Sequence, residues 1–183
     1  MRADAQRNYN QILSVAKDLL SASGEDVSLR VIARTANVGL GTMHRHFPTR
    51  EALLEALLRA GFDALRVRAA ALEDSEAGDE ALSKWLREVV AVARNYGGAI
   101  KAMVAAIEDD QSALHASCVA MKAAGARLLA QAQAKGQARH DMDGSDLFAI
   151  VGAIGWINDQ PALAGSADHI LEIILAGISA TYR

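Results

Sequence analysis

The sequence has few cysteines, prolines and aromatic residues, and each scarcity narrows what the chain can be. Its single cysteine, Cys118, excludes an intramolecular disulfide framework and is typical of a reducing compartment. Two prolines and 4% aromatics leave a chain rich in alanine and leucine, which are strong helix formers and weak strand formers. We therefore predict an all-α protein, and since 51% of its 183 residues are hydrophobic, it can bury a sizeable core.

Long apolar runs and catalytic motifs are also missing. No stretch of about 18 continuous apolar residues occurs, and the N-terminus is polar without a signal core, so we expect a cytoplasmic protein with no membrane partner. The motifs GxSxG, HExxH, CxxC and the P-loop are absent, and His115, His140 and His169 are scattered. We therefore predict no enzymatic activity and no cofactor. An all-helical enzyme is the second interpretation, and a purely structural helical dimer is the third.

The net charge of −3 is unevenly spread along the chain. Residues 1–50 hold seven Lys or Arg against four Asp or Glu, a net charge of +3, whereas residues 51–183 hold twelve against eighteen, a net charge of −6. Phosphate binding needs local positive charge rather than a basic protein as a whole. The N-terminal part can therefore face nucleic acid, and the acidic remainder argues against a second nucleic-acid surface.

Two short helices joined by a tight turn are predicted between residues 27 and 47. Ser28 is a candidate N-cap of the first helix. Apolar residues then recur at helical spacing: Leu29, Ile32, Ala33 and Ala36. Asn37 fits the turn because asparagine tolerates the left-handed conformation that ends helices. The second helix has one apolar edge, formed by Val38, Met43 and Phe47. Its other edge is small, polar and basic, which suits entry into the major groove of DNA.

With its flanks, this stretch resembles the DNA-binding domain of TetR-family transcriptional regulators over roughly residues 7–57. The matching flanks are Ile12, Ala16 and Gly24 before the two helices, and Pro48, Thr49, Arg50, Glu51, Ala52, Leu53 and Leu54 after them. Three positions depart from the family's pattern. His44 replaces the usual tyrosine of the recognition helix, Asn37 the glycine of the turn, and Arg50 the lysine that opens the fourth helix. The run GTMHRHFPTREALLEAL and the sequence after it further resemble members with an SbtR-like C-terminal domain.

The resemblance implies a set of DNA-contacting residues that side-chain chemistry also favours. They are Ser28, Gly39, Leu40, Gly41, Thr42, His44, Arg45 and Arg50. Gly39 and Gly41 would let the recognition helix come near the bases, and Leu40 could touch a thymine methyl. Thr42 and Arg45 suit a phosphate or a base edge. The alternative is a buried helical pair with no role in DNA binding.

Phosphate contacts are expected from the three other residues of this set. His44 can make the bond that the family's tyrosine makes, since its ring N–H also donates. Ser28 and Arg50 stand at helix starts, where backbone amides favour phosphate. His44 and His46 also resemble a metal-binding pair, but a spacing of two residues directs their side chains apart on a helix. We therefore predict no metal site.

Helices are predicted through the rest of the chain. A first helix at 6–23 should cover the two-helix unit, and a long helix should begin at Thr49 as N-cap and reach about Leu72. A polar linker is expected at Glu73–Gly78. The later predicted helices run from Asp79 as N-cap to a break at Tyr96, and then over 99–107, 112–135, 146–157 and 167–182. We place a DNA-binding domain at residues 1–50 and a ligand-binding and dimerisation domain at residues 51–183.

The last two predicted helices are apolar around more than one face, which favours burial in a core or a subunit interface. In the TetR family the corresponding helices form a four-helix bundle across a two-fold axis, so the resemblance implies a homodimer. Two heads related by a two-fold axis would read a palindromic operator in double-stranded DNA.

The body must supply a pocket if a small-molecule effector acts on it. Candidate lining residues are Trp85, Val89, Met103, Ile107, Met121, Phe148 and Trp156. Methionine and tryptophan suit adaptable apolar cavities, and plain core packing is the alternative for each of these residues. Cys118 is interpreted as a structural thiol rather than a redox sensor, because no cation adjoins it in the sequence. By resemblance, we expect a repressor that an unknown small-molecule effector releases from its operator.

Overall fold

The computed structural model describes residues 2–23, 27–75 and 78–179, and this part of the chain is all-α, as predicted. The helices are α1 (Arg2–Ser23), α2 (Leu29–Thr35), α3 (Leu40–His46), α4 (Arg50–Ser75), α5 (Gly78–Asn95), α6 (Gly97–Ala102), α7 (Val104–Glu108), α8 (Ala113–Ala134), α9 (Gly144–Asn158) and α10 (Ala167–Ile178). A short 3-10 turn, Ala164–Ser166, precedes α10. Within the described ranges, none of the helices has the length and hydropathy needed to cross a membrane.

Helices α1, α2 and α3 form an N-terminal head whose apolar sides meet. Ile12 of α1, Ile32 of α2 and Met43 of α3 are all buried. Phe47, which follows α3, stacks on Tyr9 of α1 with 5.1 Å between the ring centroids. Burying each of these side chains stabilises the head by about 1.5–3 kcal/mol relative to leaving it exposed. The first helix therefore holds the α2–α3 pair in place, as its apolar spacing predicted.

The long helix α4 connects this head to a helical body. Thr49 caps it by accepting the Ala52 N–H at its hydroxyl oxygen, 3.1 Å away, so the predicted start is confirmed. The most extensive packing of α4 is against α8, and it also contacts α1, α5 and α6. Near the C-terminal end of α4, Glu73 pairs with Arg127 of α8 at 3.2 Å. One helix thus belongs to the packing of both the head and the body.

Trp85 of α5 lies at the centre of the body. It is fully buried, and its indole N–H donates a hydrogen bond to the Leu65 carbonyl oxygen of α4 at 2.8 Å. Phe148 of α9 meets it edge-on, with 6.1 Å between ring centroids and 88° between ring planes. Gly125 of α8 lies directly against the indole, where a Cβ would overlap the ring. Helices α4, α5, α8 and α9 therefore pack around one aromatic side chain.

The predicted linker at Glu73–Gly78 is wrong in extent. Helix α4 continues to Ser75 and α5 begins at Gly78, so only residues 76–77 are left between them, and these lie outside the described part. Near this end of α4, Asp74 is exposed and the partly buried Glu73 pairs with Arg127 of α8, so the helix accommodates both charged side chains. Asp79 was predicted as the N-cap of α5, and the helix begins one residue before it.

Further boundaries differ from prediction: α1 begins at Arg2 rather than at residue 6, and α9 begins at Gly144 rather than at residue 146. The helix predicted at 99–107 is divided into α6 and α7 at Met103, whose φ of −108° and ψ of 12° interrupt the helix. Helix α10 ends at Ile178 rather than near Tyr182, because Ser179 turns to an extended conformation and forms an isolated β-bridge with Ala138. The part of that prediction beyond Ser179 lies outside the described residues.

Candidate DNA-binding surface

Helix α2 begins with the cap that the sequence predicted. The Ser28 hydroxyl oxygen accepts the Val31 N–H at 3.3 Å, and its extended backbone leads the chain into the helix. Ser28 is exposed, and its hydroxyl proton is not used by the cap. This side chain therefore combines a structural role with a donor that can reach a phosphate beside the helix start.

The turn between α2 and α3 is set by Asn37, which has a positive φ of 52°. Its N–H donates to the Arg34 carbonyl at 3.1 Å, and the Val38 N–H donates to the Ala33 carbonyl at 2.9 Å. This pair of bonds is a Schellman motif, in which a left-handed residue satisfies the last carbonyls of a helix. The motif reverses the chain within a few residues, so α3 starts at a fixed angle to α2.

Helix α3 turns its apolar edge inward. Met43 is fully buried, and Phe47 at the C-cap is nearly so. His46 also faces the head, since its ring lies 6.0 Å from the Tyr9 ring in an edge arrangement. These contacts fix the rotation of a helix of only seven residues about its own axis. The rest of its surface is therefore directed outward.

The outward side of α3 carries most of the predicted contact residues. Gly39, Gly41, His44 and Arg45 are exposed, and Leu40 is 38% exposed, which is high for a leucine. A Cβ at either glycine would meet no heavy atom within 4 Å, so this face is open. It is a narrow ridge of small, apolar and basic groups, of a kind that a major groove admits.

Thr42 and Arg45 lie one turn apart on this ridge and are joined to each other. The Arg45 guanidinium donates to the Thr42 hydroxyl oxygen at 2.9 Å. The bond orients the guanidinium and leaves most of its five N–H donors for another acceptor. A positioned guanidinium is well suited to a phosphate or a guanine edge.

The start of α4 supplies the last predicted contact, Arg50, which is half-buried. Next to it, the pKa of Glu51 is lowered by a hydrogen bond from its own backbone N–H, by another from Thr49 and by the charge of Arg50. The carboxylate therefore stays charged and holds the first turn of the helix. Arg50 stands at the start of α4, directly after the head, as the sequence predicted.

Arg30 and Arg34 were not among the predicted contact residues. Both are exposed on α2, and neither forms an ion pair with another residue of the described ranges. Their signal in the sequence was their position between the apolar residues of α2, which directs them away from the core. They add positive charge to the head beside α3.

The seven candidate pocket residues do not share one environment. Trp85, Val89, Met103 and Met121 are buried, and Ile107 and Phe148 are partly buried. Of these, Trp85 and Phe148 touch each other through their rings. Trp156 is 60% exposed on the outer side of α9, so the structure separates it from Trp85. The buried members belong to the continuous hydrophobic core, and that they also line an effector pocket stays a prediction.

The Cys118 thiol and the His115 ring show no sign of a reactive or metal-binding site. Burial raises the pKa of the Cys118 thiol, and the charge of Lys122 offsets this only in part, so the thiol stays protonated and poorly nucleophilic. A ring nitrogen of His115 forms a hydrogen bond with the Ile107 carbonyl oxygen at 2.8 Å. No cluster of three or more metal-binding side chains occurs among the described residues.

Fold and surface together define a class of protein: a helix-turn-helix head joined by a long helix to a helical body. Two family profiles match the chain. Residues 12–57 match "Bacterial regulatory proteins, tetR family", and residues 76–180 match "Transcriptional regulator SbtR-like, C-terminal domain". The chain therefore belongs to the TetR family of DNA-binding transcriptional regulators, which is a regulatory rather than an enzymatic family.

Individual relatives agree with this assignment. A TetR transcriptional regulator from Streptomyces coelicolor is 32% identical, with 93% of this chain and 98% of that chain covered and a TM-score of 0.74. A TetR regulatory protein from Mycobacterium vanbaalenii is also 32% identical, with coverage of 97% and 98% and a TM-score of 0.73. An HTH-type transcriptional regulator of Staphylococcus aureus is 40% identical over 60 residues, a match that spans only 31% of that relative's length.

Proposed function

We propose that this protein is a homodimeric repressor that binds a palindromic operator through its two heads and is released by a small-molecule effector. The observation that carries the proposal is the outward side of α3, where Gly39, Leu40, Gly41, His44 and Arg45 are exposed while Met43 is buried. A ridge of this kind fits the width of the major groove. The positive charge of the N-terminal part of the chain favours the phosphates on either side.

Each contact residue has a role in this proposal. Leu40 meets a thymine methyl, and Arg45, held by Thr42, reads a guanine edge or a phosphate. His44 and Ser28 donate to the phosphate backbone, and so do the helix starts at Ser28 and Arg50. Gly39 and Gly41 keep the ridge low enough for the helix to approach the bases.

Dimerisation is supported by apolar side chains on the outer surface of α9 and α10. Trp156 and Ile173 are 60% and 57% exposed, and Leu163 between the two helices is 41% exposed. The glycines at positions 152 and 177 leave open space beside them. Large exposed apolar groups on neighbouring helices are typical of an interaction surface, and a two-fold axis through it would set two heads on one operator.

Release by an effector is supported by the path of α4. This helix packs on α1 in the head and on α5 and α8 in the body, so a change in the body's packing changes the angle of the head. AibR, a protein of similar fold at 19% identity and a TM-score of 0.61, was crystallised with both isovaleryl coenzyme A and operator DNA. If an effector acts here in this way, ligand affinity and DNA affinity are coupled reciprocally, typically by about 1–3 kcal/mol.

The test is selection of bound sequences from random duplex DNA, followed by affinity measurements on the enriched sequence at several salt concentrations. We expect a palindrome, and we expect Arg45→Ala to lose about 1–3 kcal/mol of binding free energy. If Arg45 binds phosphate, the slope of log affinity against log salt falls by about 0.9 for each phosphate that the dimer no longer neutralises.

The matched control is Arg66→Ala. Arg66 is an exposed arginine on α4, about 24 Å further along that helix than Arg50 at 1.5 Å per residue. The Arg66→Ala substitution removes the same charge from the chain without touching the α3 ridge, so its effect on DNA affinity should be small. No enriched sequence at low or moderate salt, or equal losses of affinity in the two variants, would contradict the proposed DNA contacts.

A further inference from the structure

A cleft separate from the α3 ridge lies where the head meets the body. It is lined mainly by α1, α4 and α5, is open to solvent on one side and has a volume of about 690 Å³. Its floor is apolar, with Leu13, Leu57, Leu65 and Val92, and Gly61 adds a stretch of bare helix backbone. A volume in this range is typical of small-molecule sites. None of the seven residues predicted for the effector pocket lines this cleft.

One polar side chain that lines the cleft makes no side-chain hydrogen bond within the described part of the chain. Tyr96 is only 6% exposed and lines the cleft, and its hydroxyl makes no hydrogen bond with any residue of the described ranges. The hydroxyl oxygen is not itself fully buried, so it opens on the cleft and can donate a hydrogen bond to a ligand there. Burial raises the pKa of Tyr96, and the negative charge of Asp18 raises it further, so the hydroxyl remains a neutral donor.

Charge is arranged unequally along the cleft. At the end near Tyr96 lie Asn95 and Lys17, and Lys17 forms no ion pair within the described part of the chain. At the other end Arg68 and Glu88 pair with each other at 2.9 Å across α4 and α5. The Arg68–Glu88 pair satisfies its own charges, whereas the Lys17 end offers an ammonium, an amide and a hydroxyl to a ligand.

We propose that this cleft binds a small amphipathic acid, with its apolar body along Gly61 and Val92 and its anionic group between Lys17 and the Tyr96 hydroxyl. Asp18 is next to Lys17 in the sequence and does not line the cleft, but its negative charge acts on Tyr96 and so reduces the positive potential at this end. If the regulatory function proposed above holds, this is an effector site, since a ligand here touches α1 of the head and α5 of the body at once.

The probe for the test is 1-anilinonaphthalene-8-sulfonate, an apolar ring system with one acidic group, titrated into the full-length chain and followed by fluorescence. N-phenyl-1-naphthylamine, which lacks the sulfonate, is the neutral comparison. We expect saturable binding of one probe per chain. Lys17→Met should weaken binding of the sulfonate at least about tenfold, the loss expected for one charge-assisted hydrogen bond, and leave the neutral probe within about twofold. Tyr96→Phe should weaken the sulfonate about threefold or more.

Two pairs of matched variants locate the site. Gly61→Leu should fill the cleft and abolish binding of both probes, whereas Gly61→Ala should not, since a Cβ there is 3.8 Å from the nearest atom, Val92 Cγ1. Lys122→Met removes a lysine from a different groove, on α8, and should leave both affinities unchanged. Helix content by circular dichroism checks that each variant is folded. Sulfonate binding that survives Lys17→Met and Gly61→Leu in folded protein overturns the proposal.

A separate measurement decides the regulatory role. The affinity for the selected operator is measured with and without saturating sulfonate probe. A shift in DNA affinity that disappears in Gly61→Leu makes the cleft an effector site. Probe binding in the cleft with no DNA selected at all would overturn the proposed function and leave the binding site intact.

Discussion

At the scale of single residues, the head depends most on Asn37. A left-handed backbone costs ordinary L-residues about 1–2 kcal/mol, and asparagine and glycine bear it most easily. Here it lets two carbonyls of α2 be satisfied and sends the chain into α3. The angle of the α3 ridge to the rest of the head therefore rests on the backbone conformation of one residue.

We expect Asn37→Ala to destabilise the protein by about 1 kcal/mol, because alanine has no local compensation for a positive φ. Asn37→Gly should be within a few tenths of wild type, since glycine adopts this conformation without steric cost and loses only chain entropy. The free energy of unfolding from denaturant titration measures both.

Gly136 provides an internal control for this prediction. It has a φ of 69° in the turn after α8, so Gly136→Ala should show a similar cost far from the head. An Asn37→Ala protein as stable as wild type, beside a destabilised Gly136→Ala protein, would mean that the turn relaxes and does not fix α3.

At the scale of helices, replacing a glycine by alanine should change stability in opposite directions in different packing environments. Gly125 in α8 and Gly61 in α4 both lie in helix interiors, where glycine is poorer than alanine by about 0.5–1 kcal/mol. A Cβ at Gly125 would overlap the Trp85 ring and approach Phe148 Cζ to 3.2 Å, whereas a Cβ at Gly61 meets only Val92 at 3.8 Å. Sequence alone does not distinguish the two.

We expect Gly125→Ala to destabilise the protein by about 1–3 kcal/mol through overpacking, despite the gain in helix propensity. Gly61→Ala should stabilise it by about 0.5–1 kcal/mol, because the propensity gain is unopposed. Thermal and denaturant unfolding of the two variants measure this difference in sign. Stabilisation by both substitutions would show that α5 moves away from α8 easily and that the Trp85 packing is not tight.

The elements that could be predicted are those with local signals. Thr49 and Asp143 cap α4 and α9 through hydrogen bonds within three residues of the cap, and Asp143 forms a reciprocal capping box with Asp146. For α2 and α4, the helical spacing of the apolar residues predicted the helix itself. The break at Met103 has no local signal, because α6 packs on α4 and α5 while α7 packs on α8, and only the folded body separates them.

The exposed side of α3 could be predicted for the same reason, since burial of Met43 and Phe47 dictates which residues are left outside. That these residues contact DNA stays a prediction. The cleft between α1, α4 and α5 could not be predicted from the sequence. Lys17, Gly61 and Tyr96 are far apart in sequence, and nothing in their local patterns indicates that α1, α4 and α5 leave a space between them. Clefts between helices depend on crossing angles, which periodicity does not specify.

At the scale of the whole molecule, one chain presents a single α3 ridge, and it exposes large apolar side chains on α9 and α10, Trp156 and Ile173. Pairing of two chains through these helices would account for both features. The apolar groups are then removed from water, and the two ridges are set at a fixed distance for adjacent turns of DNA. Dimerisation and operator recognition should therefore be lost together.

We expect each of the single substitutions Trp156→Asp and Ile173→Asp to give a folded monomer that binds the selected operator far more weakly than the wild type does. A two-fold interface uses each residue twice, so a loss of about 2 kcal/mol per site, typical of a central apolar residue, becomes about 4 kcal/mol for the dimer. That corresponds to a dissociation constant raised by about three orders of magnitude. Sedimentation velocity over a range of concentrations measures the dissociation constant of the dimer, and operator affinity is measured on the same samples.

Val67→Asp is the matched control, since Val67 is 59% exposed on α4 and the substitution is the same in kind. It should change neither the dimer nor DNA binding. If the α9 and α10 variants stay dimeric with full operator affinity, another surface pairs the heads. If they become monomeric and still bind the full palindrome as tightly as wild type, the heads assemble only on DNA, and a two-fold body is not what sets their spacing.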